Sequence, residues 1–256
     1  LGSVNSNSKL GNARDDDKKD MVYTTQELQN LDLSADLYTN LQQIKMIFSE
    51  CSDVIYREFD LAQDDRIKLA LIYVDGLANK TQISDQIMRG LMLDAPLVEQ
   101  GSEFTRERAL TLIKKKLLAI HQLEETNSMS KIIDAVLAGD TVLLVDGHAF
   151  ALINGARGWE SRKVEESQTE MVVRGPREAF VETLRVNTSL IRRKIHNPNL
   201  KIEMMKLGQI TRTDVALVYI KDIVNDKLVT EVKERLKRIK VDSILETGYI
   251  EELIYL

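Results

Sequence analysis

The sequence predicts an α/β protein of two similar lobes, each built on a helix-strand-strand-helix unit with a small mixed sheet. Three observations carry that prediction. Short β-branched runs alternate with amphipathic stretches of helical period along most of the chain. One stretch returns later: Ala70, Leu71, Ile72, Tyr73, Val74 and Asn79 reappear, at one common offset, as Ala216, Leu217, Val218, Tyr219, Ile220 and Asn225. The echo reaches backwards too, because a helical run (36–49) and a β-like run (54–59) precede the first copy as residues 177–196 and 200–207 precede the second.

The chain of 256 residues is long for one compact core and comfortable for two domains. We divide it into a disordered tail over 1–20, a first α/β lobe over 21–155, a linker over 156–170 and a second α/β lobe over 171–256. Thirty-five Lys and Arg against 40 Asp and Glu give a net charge of −5, which argues against a partner made of nucleic acid. The single cysteine, Cys51, excludes an internal disulfide and a cysteine-based zinc site. No run approaches the roughly 20 apolar residues of a membrane span, and no signal peptide is visible, so the chain as it stands reads as soluble.

In order, residues 1–20 are Asn/Ser-rich and then charged, and Leu1-Gly2-Ser3 reads as a cloning remnant. Leu37, Leu41, Ile44 and Phe48 form the stripe of a half-buried helix with Ser34 as its N-cap. Residues 54–59 and 67–74 form a strand pair. Asn79 and Gln82 resemble a capping box, opening a helix with Ile83, Ile87 and Leu91 inward. Pro96 and Gly101 mark a loop. A helix over 105–116 turns Ala109, Leu110 and Ile113 inward and leaves Lys114, Lys115 and Lys116 solvated. A strand follows over 118–123, then a helix over 128–137 with Ile132 and Val136 inward, stopped at Gly139. Two apolar runs around Asp146-Gly147 predict a hairpin with a type I′ turn. The polar stretch 154–167, with the sole tryptophan Trp159, reads as a hinge-capable connection.

In the second lobe, Pro176 opens a long helix in its first turn. Phe180, Leu184, Ile191 and Ile195 make its apolar stripe, and Glu178, Glu182, Arg185, Ser189 and Arg192 its opposite face. Strands over 201–207 and 214–220 follow. Asn225 then caps a helix with Val229, Val232, Leu236 and Ile239 inward, and the tail 248–256 grows apolar.

Candidate chemistry is thin. Asp146 and His148 sit close together, but a hydrolase would also need a nucleophile brought to the imidazole, so turn chemistry is the simpler account. His121, His148 and His196 are scattered without ligand spacing, so no metal site and no cofactor is expected. Cys51 reads as a buried structural thiol. Gly155 and Gly158 lack the pattern of a phosphate loop. Arg174, Arg177, Asn187 and Arg192 need more explanation. Two cations flank a helix start that already favours anions, and an amide lies beside a buried stripe. They are either an internal salt-bridge network locking the helix to the sheet or a ligand or partner surface.

From RGPREAFVETLRVNTSLIRRKI (174–195), through GQITRTDVALVYI (208–220), VKERLKRI (232–239) and DSILETGYIEELI (242–254), and back to GDTVLLVDGHAFALI, the sequence resembles the bacterial spore germinant receptor A-subunit family. The resemblance covers most of 139–254, and the first lobe is more loosely similar. Ser167 stands where the family usually has proline, and Ala179 where glycine is common. The resemblance implies the non-enzymatic soluble domain of a membrane-embedded receptor subunit in the inner membrane of the dormant endospore, facing the cytosol. It also implies partnership with B and C subunits, with other A subunits and a nutrient small molecule as further partners, and a role in assembly and signal transmission. The alternative is a germinant-binding module closing between two lobes. The apolar end at 253–256 fits a chain cut before a first membrane span.

Overall fold

The computed structural model describes residues 23–61, 64–92, 110–111, 113–115, 117, 123–158 and 179–255. The expected tail over 1–20, the loop at Pro96 and Gly101, most of the helix over 105–116, His121, Trp159, and Arg174 through Arg177 lie outside them.

The first part of the chain builds three layers. Helix α1 (Thr25–Gln29), which the sequence analysis did not anticipate, starts with a capping box in which Thr24 and Glu27 serve each other's backbone N–H groups. Helix α2 (Leu37–Ile47) follows, then β1 (Val54–Leu61) and β2 (Asp64–Val74). A helical run continues as α3 (Lys80–Gln82), a π-helical stretch (Ile83–Met88) and α4 (Arg89–Met92). After β3 (Leu123–Thr126) come α5 (Met129–Leu137), β4 (Thr141–Val145) and β5 (Ala151–Asn154). The five strands form one sheet in the order β1-β2-β4-β5-β3.

Strand alternation decides the layers. Along β2, Ala70, Ile72 and Val74 face a core shared with α2 and α5, while Leu69, Leu71 and Tyr73 face a second core with Ile83, Ile87 and Leu91. Strand β4 divides in the same way, Val142 and Leu144 against Leu143 and Val145. Both faces are covered, which explains why β2 reads as a continuous apolar run.

The second part comprises α6 (Leu184–Lys194), the hairpin β6 (Leu200–Leu207) and β7 (Thr213–Ile220), α7 (Asp226–Arg238) and α8 (Thr247–Leu253). Its core is smaller. Leu207, Leu236 and Ile244 are buried, with Val215, Val232 and Ile250 partly buried around them. The order helix-strand-strand-helix thus occurs twice, and the echoed asparagines do the same work. Asn79 Oδ1 accepts from the N–H of Gln82 (3.1 Å) and Asn225 Oδ1 from that of Lys227 (3.0 Å).

Several expectations are corrected. Pairing within both sheets is antiparallel, where a mixed sheet was expected; β1–β2, β4–β5 and β6–β7 are hairpins, which short connections require. The N-cap of α2 is Asp36, whose carboxylate accepts from the N–H of Thr39 (2.8 Å), and Ser34 instead forms a turn with the backbone of Asp36. The strand expected over 118–123 starts at Leu123 and runs to Thr126; 118–122 lie outside the described residues. The hairpin around Asp146-Gly147 is present, but its loop runs from Asp146 to Phe150, and only Gly147 has positive φ (83°). The Asp146 carboxylate accepts instead from the N–H of Leu37 (3.4 Å) at the start of α2, so tertiary capping replaces the two-residue turn. Lys114 is half-buried rather than fully solvated: it pairs with Glu125 (2.7 Å) and lies over the Phe150 ring. The stretch from Asn154, placed in the connection, is bonded to the first part as far as Gly158. Asn79 N–H donates to Ala156 (2.9 Å), Gly158 N–H to Leu77 (2.9 Å), and Arg157 makes a two-pronged pair with Asp140 (2.6 and 2.7 Å).

The largest correction concerns α6. Residues 179–183 are not helical, and the helix begins after Thr183. Asn187 accounts for this: its Oδ1 accepts from the N–H of Val181 and its Nδ2 donates to the carbonyl of Val181, both at 2.7 Å, which holds that residue out of the helix. Phe180, expected inward, is 67% exposed.

Candidate functional site

Helix α6 meets the first part along a polar stripe, Arg185, Ser189 and Arg192, at the spacing that shares one helix face. This is the face expected opposite the apolar stripe. It is received by two turns at one end of the β1–β2 hairpin, the turn before β1 with Asp53 and the turn after β2 with Asp75. These turns are tied together by a hydrogen bond from Asp75 N–H to the carbonyl of Asp53 (2.8 Å).

At one end of the stripe, Arg192 is fully buried (0% exposed). Its Nε donates to Asp53 Oδ2 and its Nη2 to Oδ1, both at 2.9 Å, while Nη1 donates to the carbonyls of Leu200 (3.0 Å) and Asn197 (3.3 Å). A planar guanidinium suits this paired geometry, and the carbonyls occupy donors that would otherwise be buried unpaired. In the middle, Gly76 (φ 88°) lets the turn approach so closely that a Cβ there would lie 3.0 Å from that of Ser189. At the other end, Arg185 (3.5 Å) and Lys80 (2.8 Å) both pair with Asp75 Oδ1 near the surface.

Strand β6 adds a second set of ties. Lys201, 2% exposed, donates to the carbonyl of Ile47 at the C-terminus of α2 (3.2 Å), where a cation is favoured. Burial lowers the pKa of its ammonium, with neighbouring Cys51 and Glu50 working against that shift and Arg192 and Lys221 with it. Cys51 and Ile202 form a parallel bridge, and Ser52 N–H donates to Ile202 (2.8 Å). The Cys51 thiol is buried beside the carbonyl of Leu200 (3.5 Å), and desolvation raises its pKa, as a structural thiol requires. Glu50, held at φ 61°, reaches Lys233 of α7 (3.3 Å), which also pairs with Glu203 (2.6 Å). Tyr219 donates to the same Glu203 (2.6 Å); burial first, then that bond, raises its pKa.

Of the four candidates, Asn187 is hydrogen-bonded to Val181 and Arg192 to Asp53, and Arg174 and Arg177 lie outside the described residues. Sequence reasoning missed Asp53, Asp75, Gly76 and Lys201. The available signal was the i, i+4, i+7 spacing of Arg185, Ser189 and Arg192, which reads equally well as a solvated face. Asp146 is engaged in capping α2, and His148 stacks on Phe150 at 5.4 Å. Among the described residues no group of His, Cys, Asp and Glu could hold a metal ion. Beside the junction, a polar cleft of about 340 Å³ lies between the 76–81 turn and α6, lined by Asn79, Lys80, Thr81, Gly158, Arg185 and Ser189.

Fold and junction together define an α/β domain of one five-stranded and one two-stranded sheet, fastened through buried ionic contacts. The sequence profile of the Bacillus/Clostridium GerA spore germination protein family matches residues 42–255, so the similarity takes in the first sheet as well as the second. The chain belongs to that family. It is 39% identical over 222 residues to spore germination protein KA of Bacillus subtilis, covering 87% of this chain and 40% of that protein. It is 34% identical over 225 residues to spore germination protein GerLA of Bacillus cereus, covering 88% of this chain and 44% of that one. The chain thus spans less than half the length of these relatives. The crystal structure of the N-terminal domain of the A subunit of the Bacillus megaterium spore germinant receptor GerK3 superposes with a TM-score of 0.65 at 31% identity, covering 88% of this chain and 80% of that one. No helix among the described residues is long and apolar enough to cross a membrane.

Proposed function

We propose that this chain is a non-enzymatic domain of a nutrient germinant receptor A subunit, which helps assemble the receptor with its B and C subunits and passes on the germination signal. In this reading the whole protein sits in the inner membrane of the endospore, with this domain facing the spore core. The observation that carries it is the junction. The buried Arg192–Asp53 pair and the ties from Lys201 and Cys51 make one connected body through which a displacement can pass. The test is deletion of residues 20–253 from the full-length subunit in spores. Loss of the assembled receptor and of the nutrient response is expected; spores that keep both would sink the proposal.

A second reading, a germinant-binding module, is favoured by the polar cleft between the 76–81 turn and α6. Arg185 and Lys80, both paired with Asp75, lie at its wall, and Arg174 and Arg177 remain the candidates for a ligand carboxylate. Pooled amino acids, sugars and nucleosides would be screened by thermal unfolding. A ligand at about 100 times its dissociation constant adds roughly 2.7 kcal/mol, a shift of about 2–4 °C per kcal/mol at this size. Arg174→Ala or Arg177→Ala should abolish that shift while leaving the ligand-free melting temperature nearly unchanged. No shift from any pool leaves sensing to partner subunits.

A further inference from the structure

The face of α6 turned away from the junction borders an apolar groove of about 610 Å³, shared with β7 and the residues leading into α8. Leu184, Ile191, Val215 and Val218 form a half-buried floor. Phe180 and Leu245, 67% and 72% exposed, stand at its edge. The charged residues lining it are all acidic: Glu182, Asp214 and Glu246, each exposed. Lys206 answers Asp214 (2.6 Å), and no cation among the described residues pairs with Glu182 or Glu246.

An apolar floor with an acidic rim selects its occupant by charge. Anionic lipid headgroups would be repelled by the rim. A second copy docked on the same face through a two-fold axis would set acid against acid. The geometry points to an amphipathic segment of a partner protein, apolar along one face and carrying Lys or Arg at its flanks. Its apolar side chains replace water over the floor, and its cations meet Glu182 and Glu246. The inference names a surface for the assembly reading and rests on it. Peptide binding reads the surface directly, whereas the spore deletion reads the domain's role, so the two failures are distinguishable.

The experiment titrates the chain into a fluorescein-labelled amphipathic peptide of Leu and Lys and, separately, into its counterpart with Glu for every Lys, both followed by anisotropy. The wild-type chain should prefer the Leu/Lys peptide by about tenfold or more, equivalent to about 1.4 kcal/mol. Glu182→Lys with Glu246→Lys should reverse the preference, because both sites are exposed and the swap leaves the floor intact. Leu245→Ser should weaken the Leu/Lys peptide at an unchanged melting temperature. The inference is overturned if the double variant keeps the wild-type preference, since the attraction then lies elsewhere. It is equally overturned if the chain sediments with phosphatidylglycerol vesicles in a Leu245-dependent way, or if it self-associates and Leu245→Ser makes it monomeric.

Discussion

Arg192 holds a full charge in a site that water does not reach, and that is tolerable only because Asp53 meets it through two hydrogen bonds and two carbonyls take further donors. Removing one partner leaves the other charge stranded. Asp53→Asn should therefore destabilise the chain by about 3–5 kcal/mol, and replacing both partners by apolar residues, Asp53→Leu with Arg192→Met, should recover most of that loss. Urea unfolding checks both, and a loss under about 1 kcal/mol for Asp53→Asn would refute a desolvated pair. The need for partners at Asn187 was legible in the sequence, because an amide beside an apolar stripe asks for them, and an internal salt-bridge network was one of the two readings offered for Arg192. The partner itself was not. Asp53 is 139 positions away, and nothing local to either residue marks so distant a contact.

The elements were most legible where the deciding interaction is local. Asn79 and Asn225 cap the helices they precede, and the alternation along β2 follows from its own side chains. Legibility failed where a distant group intervened, as at Asp146, drawn to α2, and at the start of α6, where Val181 is held by Asn187. The same logic predicts which glycine matters. A Cβ at Gly158 would lie 2.5 Å from Cβ of Asn79, the residue that caps α3, whereas at Gly155 nothing lies within 4 Å. Gly158→Ala should cost about 1–3 kcal/mol through forced displacement of the cap, and Gly155→Ala no more than about 0.5 kcal/mol. Equal melting temperatures for the two variants would contradict the close approach.

At the scale of the molecule, the two sheets are unequal although the sequence that builds their hairpins is alike. Leu71 and Ile72 of β2 are fully buried between two helical layers, while Leu217 and Val218, their echoes in β7, are only half-buried. A two-stranded hairpin is marginal alone, so β6–β7 depends on α7, α8 and the junction for its persistence. Opening free energies should therefore differ along the chain. In native-state hydrogen exchange, the amides of β6 and β7 should exchange through a partial opening that leaves β2 and β4 protected. Asp53→Asn should widen the gap, because it releases α6 and the start of β6 from the first sheet while both cores of that sheet stay intact. The repeat seen in the sequence would then mark similar local structure with dissimilar stability. If β6–β7 and β2–β4 amides exchange at one common free energy in both wild type and variant, the junction is simply part of a single cooperative core, and a displacement of the second sheet could not occur without global unfolding.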